Sequence, residues 1–178
     1  MKSLIDINSD MGELKHLLDN STYAEMMQYI TSINVACGGH AGDGDMMLAM
    51  VMMAQERGVK IGAHPSYPDK ENFGRIKIDM TSAAISETIA EQITRLNEIA
   101  SNNSSLLTHV KPHGALYNKA VNDEEIAVVA REHGAETPFL RPAELSDDHT
   151  GTIPVVAHAI KKLQNSENKI DIVCCIYA

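Results

Sequence analysis

Polar residues able to do acid–base or metal chemistry recur along the first two thirds of the chain. Asp6, Asn8 and Asp10 are spaced by two. In an extended strand that spacing puts all three on one face, with Ile5 and Ile7 on the other. Further on, "CGGHAGD" offers His40 and Asp43, "GAHP" offers His64, and "THVKPHG" offers His109, Lys111 and His113. Two chemistries fit these residue types. Carboxylates and imidazoles together could bind a divalent metal with a position left for water, Asp10, His40 and His64 being the candidate ligands. The same groups could work without metal, with an Asp as general base, Lys111 stabilising a developing oxyanion and the imidazoles orienting the substrate. One carboxylate crowded by another would have a raised pKa, which suits acid–base work.

These residues need elements to bring them together. "SLIDINSD", "SINVACGGH", "VKIGAHP" and "LLTHVKPHG" read as strands, and helical patterns separate them. A helix is expected near 22–29. Another, "GDMMLAMVMMAQERG", stops at Gly58, a natural residue for a helix end. A third starts at Thr81 or Ser82 and repeats Ile85, Ile89, Ile93, Leu96 and Ala100 at helical spacing. Strands alternating with helices imply βαβ units and a parallel sheet. In such sheets the C-terminal strand ends gather at one mouth, where active sites sit. All four strands carry polar residues toward that end.

Each motif has a plainer reading. A single histidine at a strand end is more often structural than a ligand, and His40, His64 and His113 gain weight only together. Cys37 reads as a small buried residue rather than a nucleophile. The methionines of "MMLAMVMMA" read as core filler. Gly38, Gly39, Gly42 and Gly44 suit tight turns or close approach to a ligand. They are not a phosphate loop, since no Gly-Lys-Ser/Thr follows.

Composition narrows the function class. A hydrophobic content of 44% predicts folding rather than disorder. A net charge of -9 without a basic cluster argues against nucleic acid and anionic membranes as partners. No signal peptide is read at the start, and no apolar run is long enough to span a bilayer. Three cysteines (Cys37, Cys174 and Cys175), without metal-type spacing, fit a reducing cytoplasm.

The segments "DINSDMGE", "NVACGGHAGD", "GVKIGAHPSYPDKENFGR" and "HVKPHGALYN" resemble the LamB/YcsF family, which supplies the A component of bacterial 5-oxoprolinase. The likeness covers about residues 1–125. It implies an α/β fold, a partial (β/α) barrel of the glycoside hydrolase/deacetylase type, truncated, with a foreign α/β tail. It also implies ATP-dependent opening of 5-oxoproline to glutamate in the cytoplasm. The B and C subunits would be the partners, and ATP would be handled through them. A divalent metal is compatible with the site. Carried onto this chain, the catalytic positions are Asp6, Asp10, His40, His64, Lys111 and His113. The substrate-binding positions are Asn8, Asp43 and His109. Ser9 stands where the family commonly has Cys, Gly39 where Phe is common, and the loop after Glu13 departs from the usual form. A barrel of this kind usually needs about 250 residues, so later strands are expected to be missing.

From about Asp123 the texture changes. "PFLRPAELSDDHTGT" and the closing "VCCIYA" resemble an internal segment of acylneuraminate-type cytidylyltransferases, particularly the pseudaminic acid group. The domain reading is therefore 1–122, a LamB/YcsF-like half barrel, and 123–178, a cytidylyltransferase-like segment that is not an independent domain. A helix is expected at 122–133, another at about 152–164, and a strand at the end. The alternative functions are a fragment of a nonulosonic acid cytidylyltransferase and a non-catalytic chimera.

Overall fold

The computed structural model describes residues 6–120 and the single positions 128, 154, 157, 158, 161 and 162. The chain divides into two units, Met1–Glu136 and Thr137–Ala178. Of the expected helix at 122–133, only Val128 is described, and it is helical. Pro154, Ala157, His158, Lys161 and Lys162 are helical within the expected 152–164 stretch. The expected terminal strand and the change of texture after residue 122 otherwise lie outside the described residues.

The first unit carries four strands: β1 (Asn8–Met11), β2 (Ser32–Ala36), β3 (Lys60–His64) and β4 (Leu107–Val110). All pair in parallel, in the order β1-β2-β3-β4. Each strand therefore lies beside the next one in sequence, and the described sheet has no switch point of the doubly wound kind. The helices are α1 (Lys15–Asp19), α2 (Thr22–Met26), α3 (Gly44–Arg57), α4 (Ser82–Asn102) and α5 (Gly114–Ala120).

The helix expected near 22–29 is α2, and a further short helix, α1, precedes it. Ser21 takes a left-handed conformation (φ 66°) between them, and the Asn20 side chain accepts from the Thr22 amide and hydroxyl. An Asn that satisfies the backbone this way ends one helix and starts the next.

The core lies between the apolar sheet face and two helices. Ile33, Val35, Ile61 and Ala63 meet Met46, Met47, Met50, Val51 and Ala54 of α3. From α4 come Ile85, Ile89, Ile93, Leu96 and Ala100, the set its periodicity predicted. Each such Ile or Leu, fully buried, stabilises the fold by roughly 1.5–3 kcal/mol. The methionines of α3 fill core on one side only, since Met52 remains about half exposed. The helix ends follow the expected chemistry. Thr81 Oγ1 accepts from the Ala84 amide, and Gly58 closes α3 at φ 67°.

The other sheet face is polar, which is unusual for a parallel sheet. It carries Asn8, Asp10, Asn34, His64 and His109. An irregularity between β3 and β4 matters here: Ile61 pairs with Leu107, but Gly62 pairs with His109. The extra residue, Thr108, turns back to donate to the Ile61 carbonyl at 3.1 Å. This bulge lays the His109 ring over Gly62, where any side chain would collide with it.

Candidate active site at the strand mouth

Asp10 anchors the site. Asn34 Nδ2 donates to Asp10 Oδ1 at 2.8 Å and to Asn8 Oδ1 at 3.0 Å, so Asn8 and Asp10 share a face as their spacing predicted. Lys111 reaches across from the end of β4 and donates to both Asp10 oxygens, at 2.7 and 2.9 Å. His64 Nε2 is 3.4 Å from Asp10 Oδ2. Burial alone would raise the Asp10 pKa, but His64 and Lys111 reverse this and hold it well below the usual carboxylate range. A carboxylate neighbour was expected to raise one site pKa. Asp10 has cationic and imidazole neighbours instead, so the shift has the opposite sign.

Behind Asp10, a relay fixes the Asn34 amide. Its Oδ1 lies 2.8 Å from His109 Nε2, and His109 Nδ1 lies 2.8 Å from Thr108 Oγ1. An amide oxygen only accepts, so His109 Nε2 carries the proton, and the single Thr108 hydroxyl hydrogen is shared between the Ile61 carbonyl and His109 Nδ1. Burial lowers the His109 pKa, consistent with a neutral ring.

Beside Asp10 sits an imidazole cluster. His40 and His113 stack at 3.7 Å between centroids, 6° from parallel, and His64 meets both edge-on. His40 Nε2 pairs with Glu13 Oε1 at 2.9 Å, while His40 Nδ1 is buried without a hydrogen-bond partner among the described residues. His64 Nδ1 lies 2.5 Å from the Lys111 carbonyl. His113 Nε2 lies 2.9 Å from the Phe73 carbonyl. Burial would raise the Glu13 pKa, but His40 and its neighbours lower it overall. Burial, then His40 and His64, push His113 down to about 4.

Loops hold this cluster in place. The segment after β3 is clamped by buried Gln92 of α4, which accepts from the Ser66 amide at 3.1 Å and donates to the Ser66 carbonyl at 2.8 Å. A side chain at Gly39 would run into Ser66 and Gln92, so the position that is commonly Phe in the resembling family is already filled by neighbours. Phe73 has a left-handed backbone (φ 56°), and its ring meets His40 and His113 edge-on at 5.1 and 5.4 Å.

The predicted residues thus fall into groups. Asp10, His40, His64, Lys111 and His113 converge at the mouth, and Asn8 and His109 support them. Asp6 does not join them. It lies at the opposite strand ends, accepting from Thr31 and Ser32 at 2.6 and 2.8 Å beside an open cavity of about 380 Å³ that Lys60 also lines. Asp43 caps α3, accepting from the Met46 amide at 2.8 Å, so its carboxylate serves the helix. In the candidate metal set Asp10 is committed to Lys111, while His40 and His64 lie among the other imidazoles. Cys37 is buried, donates to the Val35 carbonyl, and burial pushes its thiol up to about 12, which fits the packing role. Sequence reasoning missed two members. Glu13 stands in "DMGE" three residues after Asp10, and Asn34 alternates with Ser32 along β2. Both lie within motifs that already drew notice, "DINSDMGE" and "SINVACGGH".

A parallel α/β sheet with its polar cluster at the C-terminal strand ends is the arrangement in which α/β proteins place their binding and active sites. The LamB/YcsF family model matches residues 5–137, and the chain belongs to that family. It is similar to the 5-oxoprolinase A component of Thermococcus sibiricus, with 45% identity over 124 residues, covering 70% of this chain and 49% of that protein. The corresponding component from Limosilactobacillus fermentum is 45% identical over 125 residues, covering 69% and 49%. That of Pyrococcus abyssi is 46% identical over 123 residues, covering 69% and 48%. Among solved structures, a lactam utilization protein from Thermus thermophilus aligns with a TM-score of 0.63 at 33% identity, over 72% of this chain and 52% of that one. The chain spans about half the length of the curated relatives it matches. Among the described residues, no helix is long and apolar enough to cross a membrane.

Proposed function

We propose that this chain acts as the A component of a 5-oxoprolinase and that its described sheet is one sector of a (β/α) barrel. The observation that carries the reading is the Asp10–Lys111 pair at the strand mouth, set beside three imidazoles in a chain of this family. The reaction is hydrolysis of a five-membered lactam. The ring C–N bond breaks, water supplies the new carboxylate oxygen, and the nitrogen takes a proton to become the amine of glutamate. A lactam is a stable amide, so ATP hydrolysis on the B and C partners drives the opening.

In this scheme Asp10 stays ionised and aims the Lys111 ammonium, which offers a further N–H to the carbonyl oxygen as charge develops there. Asp10 is too acidic to be a good base. Proton transfer therefore falls to another group at the mouth. The compartment is the cytoplasm.

The test is ATP-dependent glutamate release from 5-oxoproline with the B and C partners present. Release is expected. None from a sample with a native circular dichroism spectrum would overturn the reading for this chain. The cytidylyltransferase resemblance of residues 123–178 is a separate matter. CTP turnover with a nonulosonic acid is the measurement that tests it.

A further inference from the structure

Glu13, His40, His64 and His113 each offer one ligand atom at the mouth, and these four atoms lie within 4.8 Å of one another. They are not an incidental cluster of exposed charge. His40 and His64 are almost wholly buried, and His113 is 9% exposed.

Hydrogen-bond accounting leaves a gap that a cation fills. The Lys111 and Phe73 carbonyls can only accept, so His64 Nδ1 and His113 Nε2 must carry protons. In the neutral rings the remaining nitrogens, His64 Nε2 and His113 Nδ1, then hold lone pairs. These two atoms face each other at 3.0 Å. Two acceptors cannot satisfy each other. Either a proton or a metal must lie between them, and a Glu13 oxygen within 4.8 Å of both makes this a place for a cation. Histidine ligands usually donate their outer N–H to a carbonyl or carboxylate, the arrangement that His64 and His113 already have. Glu13 adds charge: its Oε1 is 2.9 Å from His40 Nε2 and 3.8 Å from His113 Nδ1. Ligands about 2.0–2.2 Å from a tetrahedral ion stand roughly 3.3 Å apart, close to these spacings.

We propose that Glu13, His64 and His113 bind one divalent cation of the zinc class, while His40, stacked flat on His113, holds the Glu13 carboxylate in place. Two imidazoles and a single carboxylate, with a position left for water, favour zinc or cobalt over magnesium or calcium, which prefer oxygen. Asp10 is outside the set because Lys111 holds both its oxygens. The site shares the mouth of the proposed activity and so deepens that reading. Its donors rest on geometry alone, and its test needs no lactam, ATP or protein partner.

The experiment strips the full chain with chelator, then titrates it with zinc by calorimetry and with cobalt(II) by visible absorption. One equivalent of each is expected, with the intense bands of a tetrahedral cobalt centre. The Glu13→Gln and His113→Ala variants should each bind at least about tenfold more weakly, whereas Asp10→Asn should stay within about threefold of the wild type. A Cys174→Ser, Cys175→Ser double variant should bind as the wild type does. Circular dichroism confirms folding, and near-isosteric Glu13→Gln guards against a variant that fails to fold. Absence of stoichiometric binding by the folded wild type would overturn the proposal. So would loss of binding in Asp10→Asn with retention in Glu13→Gln, or loss in the cysteine variant. Success here with no glutamate release would separate the metal site from the proposed reaction.

Discussion

Lys111 shows how one side chain links stability to chemistry. It is about two-fifths exposed, and its pair with Asp10 is partly solvated. Lys111→Met should therefore lower stability by no more than about 1 kcal/mol in a urea titration. It removes the ammonium that Asp10 holds, so glutamate release should fall by about a hundredfold or more, the usual scale for losing an oxyanion donor. An equal loss in stability and activity would mean that the pair is merely structural. Asp6 behaves differently. The Thr31 hydroxyl, opposed by burial and aided by Ser32, lowers its pKa. The folded state thus binds this proton less readily than the unfolded chain. Its contribution is present above about pH 4 and is lost as pH falls through the lowered value. Asp6 is largely exposed, so the effect is below about 1 kcal/mol. Asp6→Asn should flatten the acid limb of a stability–pH curve, and an unchanged limb would refute the assignment.

The elements were more legible than the residues. The five apolar positions of α4 follow from spacing alone, because a long helix against a sheet has only one face to bury. Its cap was legible to within one residue, Thr81 or Ser82, and Thr81 takes the role. Replacing Thr81 with Ala should cost about 1 kcal/mol, seen as a shift of the denaturation midpoint without a change in slope. The short helix α1 was not legible, since its separation from α2 depends on the Asn20 side chain choosing the backbone over solvent. Nor was the role of His109. Its position depends on a one-residue bulge in β4, and no local pattern in "LLTHV" announces a register shift. Asp43 looked chemical because it follows a histidine in a glycine-rich loop. A helix start claims the same residue type for a different reason. Asp6 looked chemical because period two says which face a side chain takes, but not which end of the sheet it reaches.

At the scale of the molecule, the described sheet is graded in protection. β2 and β3 each have strand neighbours on both sides and are almost wholly buried under α3 and α4. β1 and β4 each pair with one described strand and are only partly buried. Native-state hydrogen exchange should find the slowest amides in β2 and β3 and faster exchange in β1 and β4. Equal protection in all four would mean that β1 and β4 are covered as fully as the centre. Glu13, His40 and His64 hang from β1 through β3, whereas Lys111 and His113 follow β4. A site assembled this way is only as rigid as its least protected strand.

Gln92 has a part in that rigidity. Its side-chain amide accepts from the amide of Ser66 and donates to the carbonyl of the same residue. Those are the two bonds that a neighbouring strand would make, so a helix supplies one peptide's worth of sheet to a chain that has just left it. The segment two residues past His64 is thereby held from the helix side, while the His113 amide holds it from the other at the Pro65 carbonyl. Any sliding or rotation of α4 would reach that imidazole through this amide as well as through the core, which makes the helix a mechanical handle on the site.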